Sequence, residues 1–363
     1  MRLVIAGGGT GGHLFPGVAV AEEFLKREED NEVLFIGTER GLEKKILPEL
    51  GLPLCTIYVE GLKGRGLRSV LAILRLPWGL LQSMRILGGF RPDAVLGVGG
   101  YASGPALLAA CIRGLPTAIA EQNAIPGVTN RILAGMVRRI FLSFPDNEGW
   151  ASREKAVVTG NPIRAGLLSK ELRVKHADLF TILVFGGSQG AHRINETMAE
   201  TLAHLRDILG SIRIIHQTGN DDLEYMNEVY RGWEKDGLKA EVLPFITDMG
   251  AAYKRANLII CRAGATSIAE ITACGKAAIF IPFPFAIADH QTKNAQALEK
   301  AGAAIMIQQK DLDAEKLAGL ILDFFEEPTK LHEMEKRSAA LGHPDAAKRV
   351  VDEIINLVSG NKR

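Results

Sequence analysis

The sequence predicts an α/β protein made of two Rossmann-like, doubly wound parallel-sheet domains that face each other across a cleft. Three observations predict it. Short aliphatic or β-branched runs alternate with amphipathic helical stretches, the pattern of parallel strands covered by helices on both faces. At 363 residues the chain is too long for one compact core. The unit strand, glycine loop, helix also occurs twice: Val4-Ile5-Ala6 runs into Gly7-Gly8-Gly9-Thr10-Gly11-Gly12-His13, and Thr181-Ile182-Leu183-Val184-Phe185 runs into Gly186-Gly187-Ser188-Gln189-Gly190-Ala191.

In order along the chain, strands are expected at 2–6, 32–36, 94–98, 117–120 and 139–142, then at 180–185, 211–216, 240–243, 257–261, 277–281 and 304–307. Between the two sets, Gly160-Asn161-Pro162-Ile163-Arg164 and a polar segment reaching Asp178 carry charge without sheet periodicity, as a linker does. The expected divisions are 1–163, 164–345 and a C-terminal amphipathic helix within 346–363. The balance of 43 basic to 42 acidic residues leaves a formal charge of +1, so no global field points to nucleic acid. Cys55, Cys111, Cys261 and Cys274 are widely spaced without C-x-x-C, which argues against a zinc site and a disulfide framework and fits a reducing compartment. The chain enters a strand directly and has no apolar run of about 18 residues, so neither a standard export signal nor a membrane span is expected.

The first glycine run is the most informative stretch. Its glycines let the backbone turn sharply and approach a ligand, and the helix that follows presents unpaired N–H groups, so the loop reads as an anion site with a base, His13, beside it. Gly7, Gly9 and Gly12 also satisfy G-x-G-x-x-G, the dinucleotide fingerprint. A dehydrogenase would want an acid at the end of the second strand, yet Val33-Leu34-Phe35-Ile36 runs into Gly37-Thr38, with Glu39 only beyond. It would also leave the second glycine loop without work.

Further polar groups fall where ligands of such sheets bind, at the carboxyl ends of strands. Gly97-Val98-Gly99-Gly100-Tyr101-Ala102-Ser103-Gly104-Pro105 is another glycine loop, and Glu121-Gln122-Asn123 follows strand 117–120. In the second half, Arg262-Ala263-Gly264-Ala265-Thr266-Ser267-Ile268-Ala269-Glu270 forms a small-residue turn into a helix, placing a carboxylate able to accept two hydrogen bonds from a ribose diol. Pro282-Phe283-Pro284-Phe285 then leads to Asp289-His290-Gln291, an acid and an amide suited to a sugar's hydroxyls.

With these residues assembled the chain resembles the MurG family, inverting glycosyltransferases of the two-domain GT-B fold that make lipid II from lipid I in peptidoglycan synthesis. The resemblance spans nearly the whole chain. It is carried by GGTGGH (Gly8 to His13), GVGGYASGP (Gly97 to Pro105), EQNAIPG (Glu121 to Gly127), GNPIR (Gly160 to Arg164), GGSQGA (Gly186 to Ala191), CRAGATSIAE (Cys261 to Glu270) and ADHQTKNA (Ala288 to Ala295). Serines expected in the family at the positions of Ala263 and Ala269 are missing, so their hydrogen bonds do not carry over.

The resemblance implies transfer of N-acetylglucosamine from UDP-N-acetylglucosamine to the 4-hydroxyl of the muramoyl sugar in an undecaprenyl-linked acceptor. It implies that the second domain surrounds UDP, with Ile246 giving backbone contacts to uracil, Glu270 holding the ribose, and Ser188 with Ala265, Thr266 and Ser267 facing the diphosphate. Thr10, Gly11, Gly12, Asn123 and Arg164 would close on the donor from the other side of the cleft, and Gln291, with Asp289 near it, would hold the sugar hydroxyls. Fixed N–H dipoles would stabilise the leaving diphosphate, so neither a catalytic metal nor a cofactor is expected. His13 is the expected base, since an imidazole with an unperturbed pKa of about 6.5 accepts a proton near neutral pH; Glu121 is its rival. Other acceptors within the same fold, and a sugar-nucleotide sensor without turnover, stay open.

A lipid-linked acceptor implies a peripheral protein at the cytoplasmic face of the bacterial inner membrane. Residues 61–92 hold Lys63, Arg65, Arg68, Arg75, Arg85 and Arg91 and no acid. Leu67, Val70, Leu71 and Leu74 recur at helical spacing, and Pro77 is expected to break or kink the helix beside Trp78. Such a strip fits an anionic membrane surface and equally fits the core of a crossover helix.

Overall fold

The computed structural model describes residues 1–59, 67–146, 149–168, 179–187 and 189–360, with the backbone alone for 67–76 and 287. In chain order the strands are β1 (Arg2–Gly7), β2 (Glu32–Thr38), β3 (Leu54–Ile57), β4 (Ala94–Gly99), β5 (Thr117–Glu121), β6 (Arg139–Leu142), β7 (Ala156–Val158), β8 (Phe180–Phe185), β9 (Ile212–Gln217), β10 (Lys239–Leu243), β11 (Leu258–Cys261), β12 (Ala277–Phe280) and β13 (Ile305–Met306). The α-helices are α1 (Gly11–Arg27), α2 (Glu43–Glu49), α3 (Leu67–Phe90), α4 (Ser103–Ile112), α5 (Val128–Leu133), α6 (His192–Thr201), α7 (Leu223–Trp233), α8 (Met249–Arg255), α9 (Ala265–Ala273), α10 (His290–Lys300), α11 (Ala314–Glu326), α12 (Pro328–Leu341) and α13 (Ala346–Gly360). They form two compact units, one of Met1–Arg164 with His343–Arg363 and one of Ala165–Gly342.

The first unit is a seven-stranded parallel sheet in the order β3-β2-β1-β4-β5-β6-β7. Its central strands are continuous aliphatic runs because both faces are covered. Leu3 and Ile5 of β1 pack with Leu14, Val18 and Phe24 of α1 and with Val350, Val351 and Ile354 of α13. Val4 and Ala6 point the other way, toward Leu87 of α3 and Ala106 and Leu107 of α4. The C-terminal helix is thus a working part of this core, and Arg27 of α1 pairs with Asp352 of α13 at 2.8 Å.

The second unit is a six-stranded parallel sheet, β10-β9-β8-β11-β12-β13. Ile182 and Val184 of β8, with Leu258 and Ile260 of the adjoining β11, pack with Ile194 and Met198 of α6 and with Leu317 and Ile321 of α11. In each sheet the strand order reverses beside the first strand, between β1 and β4 and between β8 and β11. The loops leaving those strands are where an open α/β sheet leaves room for a ligand.

Three features differ from the sequence expectation. The short edge strand β7 and the strand β3 carry too little periodicity to stand out, since neither has two fully covered faces. The helix α3 continues through Pro77, so of the break or kink expected there the break does not occur. Its later turns are anchored, with Leu87 buried against α4 and Ser83 Oγ donating to the Gly79 carbonyl at 2.7 Å.

Candidate active site

In the first unit, β1 ends in three consecutive glycines at positive φ, Gly7 at 146°, Gly8 at 136° and Gly9 at 87°. Close approach adds its own demand at two positions: a side chain on Gly7 would collide with the Gly99 carbonyl, and one on Gly100 would collide with that of Gly8. The loops after β1 and β4 therefore lie backbone to backbone, joined by Gly8 N–H donating to Gly99 O at 3.2 Å. The half-buried His13, on the first turn of α1, lays its ring against Gly99, where an added Cβ would come within 2.6 Å of Cδ2. Its Nδ1 is 3.2 Å from Thr10 Oγ1. If Nδ1–H donates to that hydroxyl, Nε2 keeps a lone pair for an incoming proton.

Gly11 and Gly12 complete the start of α1, and Phe15 follows one turn on. The Arg164 guanidinium lies over the Phe15 ring, 4.7 Å from its centroid, which brings Arg164 to the same helix end as Thr10 and His13. Asn123 is placed by Glu121. This buried carboxylate accepts the Asn123 N–H (3.0 Å) and side-chain amide (3.3 Å) on one oxygen, and the Gly127 N–H and Asn130 amide, both at 2.9 Å, on the other. Four donors converge on it, so Glu121 organises its loop. Six of the seven buried polar side-chain atoms without a partner among the described residues belong to this unit's motif loops or their neighbours: Ser103 Oγ, Gln122 Oε1, Asn130 Oδ1, both amide atoms of Asn161, and Arg164 Nε. Such atoms mark where water or a ligand is needed. Beside the loop a cavity of about 360 Å³ is lined by Gly9, Thr38, Glu39, Arg40, Tyr58 and Tyr101.

In the second unit the loop after β8 repeats the device. Gly187 and Gly190 have φ of 106° and 78°, and a side chain on Gly190 would collide with the Thr218 carbonyl after β9. Gln217 ties the loop down: its amide donates to Gly187 O at 2.6 Å and its Oε1 accepts the Ile246 N–H at 3.0 Å. Ile246 is thereby buried with its N–H already engaged. Ser188 lies outside the described residues.

Ala265, Thr266 and Ser267 form the first turn of α9, directly after β11. Glu270 is one turn further, beyond the reach of a dipole-compensating first-turn acid, and is only 7% exposed. Its Oε2 accepts the Tyr253 hydroxyl at 2.9 Å, and burial pushes that phenol's pKa up, so it stays a donor. A cavity of about 610 Å³ joins the second glycine loop to Arg262, Phe283, Gln291 and Gln309. Gln291 Oε1 accepts the Phe283 N–H at 2.9 Å. Asp289, at a φ of 53°, accepts the Thr292 hydroxyl at 2.6 Å. Arg262 donates to the Ile281 and Pro282 carbonyls and to Gln309 and stacks 5.4 Å from the Phe283 centroid; burial draws its pKa down to about 10, which leaves it cationic at neutral pH.

The model for the glycosyltransferase family 28 N-terminal domain matches residues 3–142, and that for the family 28 C-terminal domain matches 181–350. The chain belongs to glycosyltransferase family 28. A family 28 relative from Syntrophus aciditrophicus (strain SB), named UDP-N-acetylglucosamine--N-acetylmuramyl-(pentapeptide) pyrophosphoryl-undecaprenol N-acetylglucosamine transferase, is 57% identical over 360 residues, covering 99% of each chain. One of the same name from Geobacter sp. (strain M21) is 52% identical, covering 98% of this chain and 96% of its own. The crystal structure of Acinetobacter baumannii MurG shares 32% identity with a TM-score of 0.79, covering 98% of this chain and 99% of that one. A UDP-GlcNAc 2-epimerase from Neisseria meningitidis, 13% identical with a TM-score of 0.69 and covering 98% of this chain and all of that one, shares the fold.

Sequence reasoning singled out the family 28 motifs but not the side chains that hold them: Glu43 beneath the first loop, Gln217 beneath the second and Tyr253 behind Glu270. Each comes from a segment distant in sequence. A local signal existed for Gln217 alone, a lone amide at the end of the largely buried strand β9. Among the described residues no three His, Cys, Asp or Glu side chains are grouped to hold a metal ion.

Proposed function

We propose that this protein transfers N-acetylglucosamine from UDP-N-acetylglucosamine to the 4-hydroxyl of the muramoyl sugar in the undecaprenyl-pyrophosphoryl pentapeptide acceptor, inverting the anomeric carbon and releasing UDP. The observation that carries the reading is the 57% identity, over 99% of both chains, to a relative named for that transfer. In the reaction the acceptor O4 forms a bond to C1 as the C1–O bond to the diphosphate breaks. The bonding pair leaves with UDP, and the O4 proton passes to His13 Nε2 through an oxocarbenium-like transition state.

His13 is the base in this reading. Its partly open ring, set by Thr10 and Gly99, supports that role, and the four donors on Glu121 argue against the rival. The first unit, through residues 1–163, is the acceptor- and membrane-facing part, while Thr10, Gly11, Gly12, Asn123 and Arg164 reach the donor. The second, Ala165–Gly342, binds UDP and sugar: Ile246 at uracil, Glu270 at ribose, Ser188, Ala265, Thr266 and Ser267 at the diphosphate, Gln291 at the sugar. Because the Ile246 N–H is held by Gln217, its carbonyl is the atom left to this role.

The protein is proposed to be peripheral at the cytoplasmic face of the inner membrane. Among the described residues no helix is long and apolar enough to cross a membrane. Trp78 and Leu81 of α3 are each 61% exposed, and Arg85, one turn beyond Leu81 on the same helix, is exposed as well. That surface suits an anionic bilayer. Lys63, Arg65 and the side chains of Leu67, Arg68, Val70, Leu71, Leu74 and Arg75 lie outside the described residues.

The test is UDP release from UDP-N-acetylglucosamine with and without a lipid I analogue, with UDP-glucose as control. Release that needs both the N-acetyl sugar and the acceptor supports the reading. UDP binding without release identifies a sensor, and equal use of UDP-glucose removes the donor assignment.

A further inference from the structure

The first glycine loop is built around a carboxylate for which the transfer chemistry has no use. Glu43 opens α2 with no exposed surface. Its Oε2 accepts the Gly9 N–H at 2.7 Å, and its Oε1 accepts the Thr38 N–H at 2.8 Å and the Thr38 hydroxyl at 2.9 Å. Three glycines make room for it. An added Cβ would come within 2.6 Å of its carboxylate from Gly8, within 2.6 Å of its Cγ from Gly37, and would collide with the carboxylate from Gly41.

The converging groups all donate, and both carboxylate oxygens accept. The Gly9 N–H, which would otherwise point at an incoming anion, is therefore spent on the protein's own anion. The loop is fixed from one side by Glu43 and from another by Gly8 N–H on Gly99 O, and Gly99 is the residue His13 packs against. Losing the first anchor frees the segment from Gly8 to Thr10, and Thr10 is the partner of His13 Nδ1.

We propose that Glu43 is a positioning residue for His13: its buried carboxylate holds the first glycine loop in the path that sets the imidazole, so it acts on proton removal from the acceptor and not on the contacts of the second unit with UDP. The inference rests on the assignment of His13 as base.

The test is a double-mutant cycle with Glu43→Gln, His13→Ala and the pair, reading kcat, donor KM and UDP affinity. Glutamine keeps the shape but turns an amide donor toward donors. Glu43→Gln should lower kcat by about 10- to 100-fold, the range for a reacting group displaced by a fraction of an ångström to an ångström. UDP affinity, which rests on the second unit, should stay within about twofold whatever donor KM does through Thr10, and the same substitution in the His13→Ala background should cost less than about twofold more in kcat. Gly41→Ala meets the same carboxylate and should reproduce the kcat loss at unchanged UDP affinity, which keeps the test intact if Glu43→Gln folds poorly. Losses that multiply in the double variant, or a fall in UDP affinity that tracks kcat, overturn the proposal. A His13→Ala enzyme with parental turnover defeats the base assignment by itself, before Glu43 is varied.

Discussion

Replacing Glu270 by alanine separates ribose binding from the packing of the second unit. The carboxylate is 7% exposed and takes the Tyr253 hydroxyl at 2.9 Å. A hydrogen bond to a charged group contributes about 1.5 to 3 kcal/mol, so two ribose hydroxyls at the lower figure total about 3 kcal/mol. That corresponds to a rise in donor KM of about 100-fold, with kcat little changed. The same substitution orphans a fully buried tyrosine hydroxyl, which costs about 1 to 3 kcal/mol of stability. The two effects come apart in the double variant Tyr253→Phe/Glu270→Ala, whose melting temperature should recover while donor KM does not. The decisive assay compares UDP-N-acetylglucosamine with its 2′,3′-dideoxyribose analogue. The parent should lose about 100-fold in kcat/KM on the analogue and Glu270→Ala should lose almost nothing further. Equal sensitivity of the two enzymes to the analogue would refute ribose binding by Glu270.

Other predictions follow from the same geometry. His13→Ala should lower kcat by at least about 100-fold, the lower end for a positioned base, at nearly constant donor KM; retention of most turnover would contradict its role. Burial draws the pKa of His216 down to about 3, between Tyr230 OH at 2.8 Å and Asn195 Oδ1 at 3.0 Å. The unfolded chain binds a proton there below about 6.5 and the folded chain does not, so this stability is full above that pH and is lost as pH falls toward about 3. Melting temperature against pH should be flatter for His216→Gln over that window, and an unchanged slope would count against it. Trp78→Glu with Leu81→Glu should abolish sedimentation with anionic vesicles while leaving UDP affinity intact; binding that ignores lipid charge removes the electrostatic half of the membrane proposal.

What could be read in the sequence was whatever the backbone dictates locally. Val4-Ile5-Ala6 and Ile182-Leu183-Val184 announce themselves because a parallel strand covered on both faces needs unbroken apolar residues. The edge strand β7 is apolar as well, but it has three residues only, none of them buried, and nothing around it marks a strand. The two glycine loops were legible as sharp turns, and the carbonyls of Gly99 and Thr218 explain why glycine is needed. Their anchors were not legible, because Glu43 is 34 residues from Gly9 and Gln217 is 30 from Gly187, and only the fold brings them together. Glu43 also alters the first reading of the opening run: the loop that looked like an anion cradle already holds an anion, one supplied by the chain. Pro77 misled in the other direction, since local sterics predict a break where packing of the later turns against α4 sustains the helix.

The central claim is that an acceptor hydroxyl displaces UDP from the opposite face of the sugar. The most direct measurement is nuclear magnetic resonance of the product formed from UDP-N-acetylglucosamine and a lipid I analogue, together with the UDP released. The account predicts one UDP per product and a β-linked N-acetylglucosamine on the muramoyl O4. An α linkage, attachment at another hydroxyl, or free N-acetylglucosamine in place of the disaccharide would contradict it.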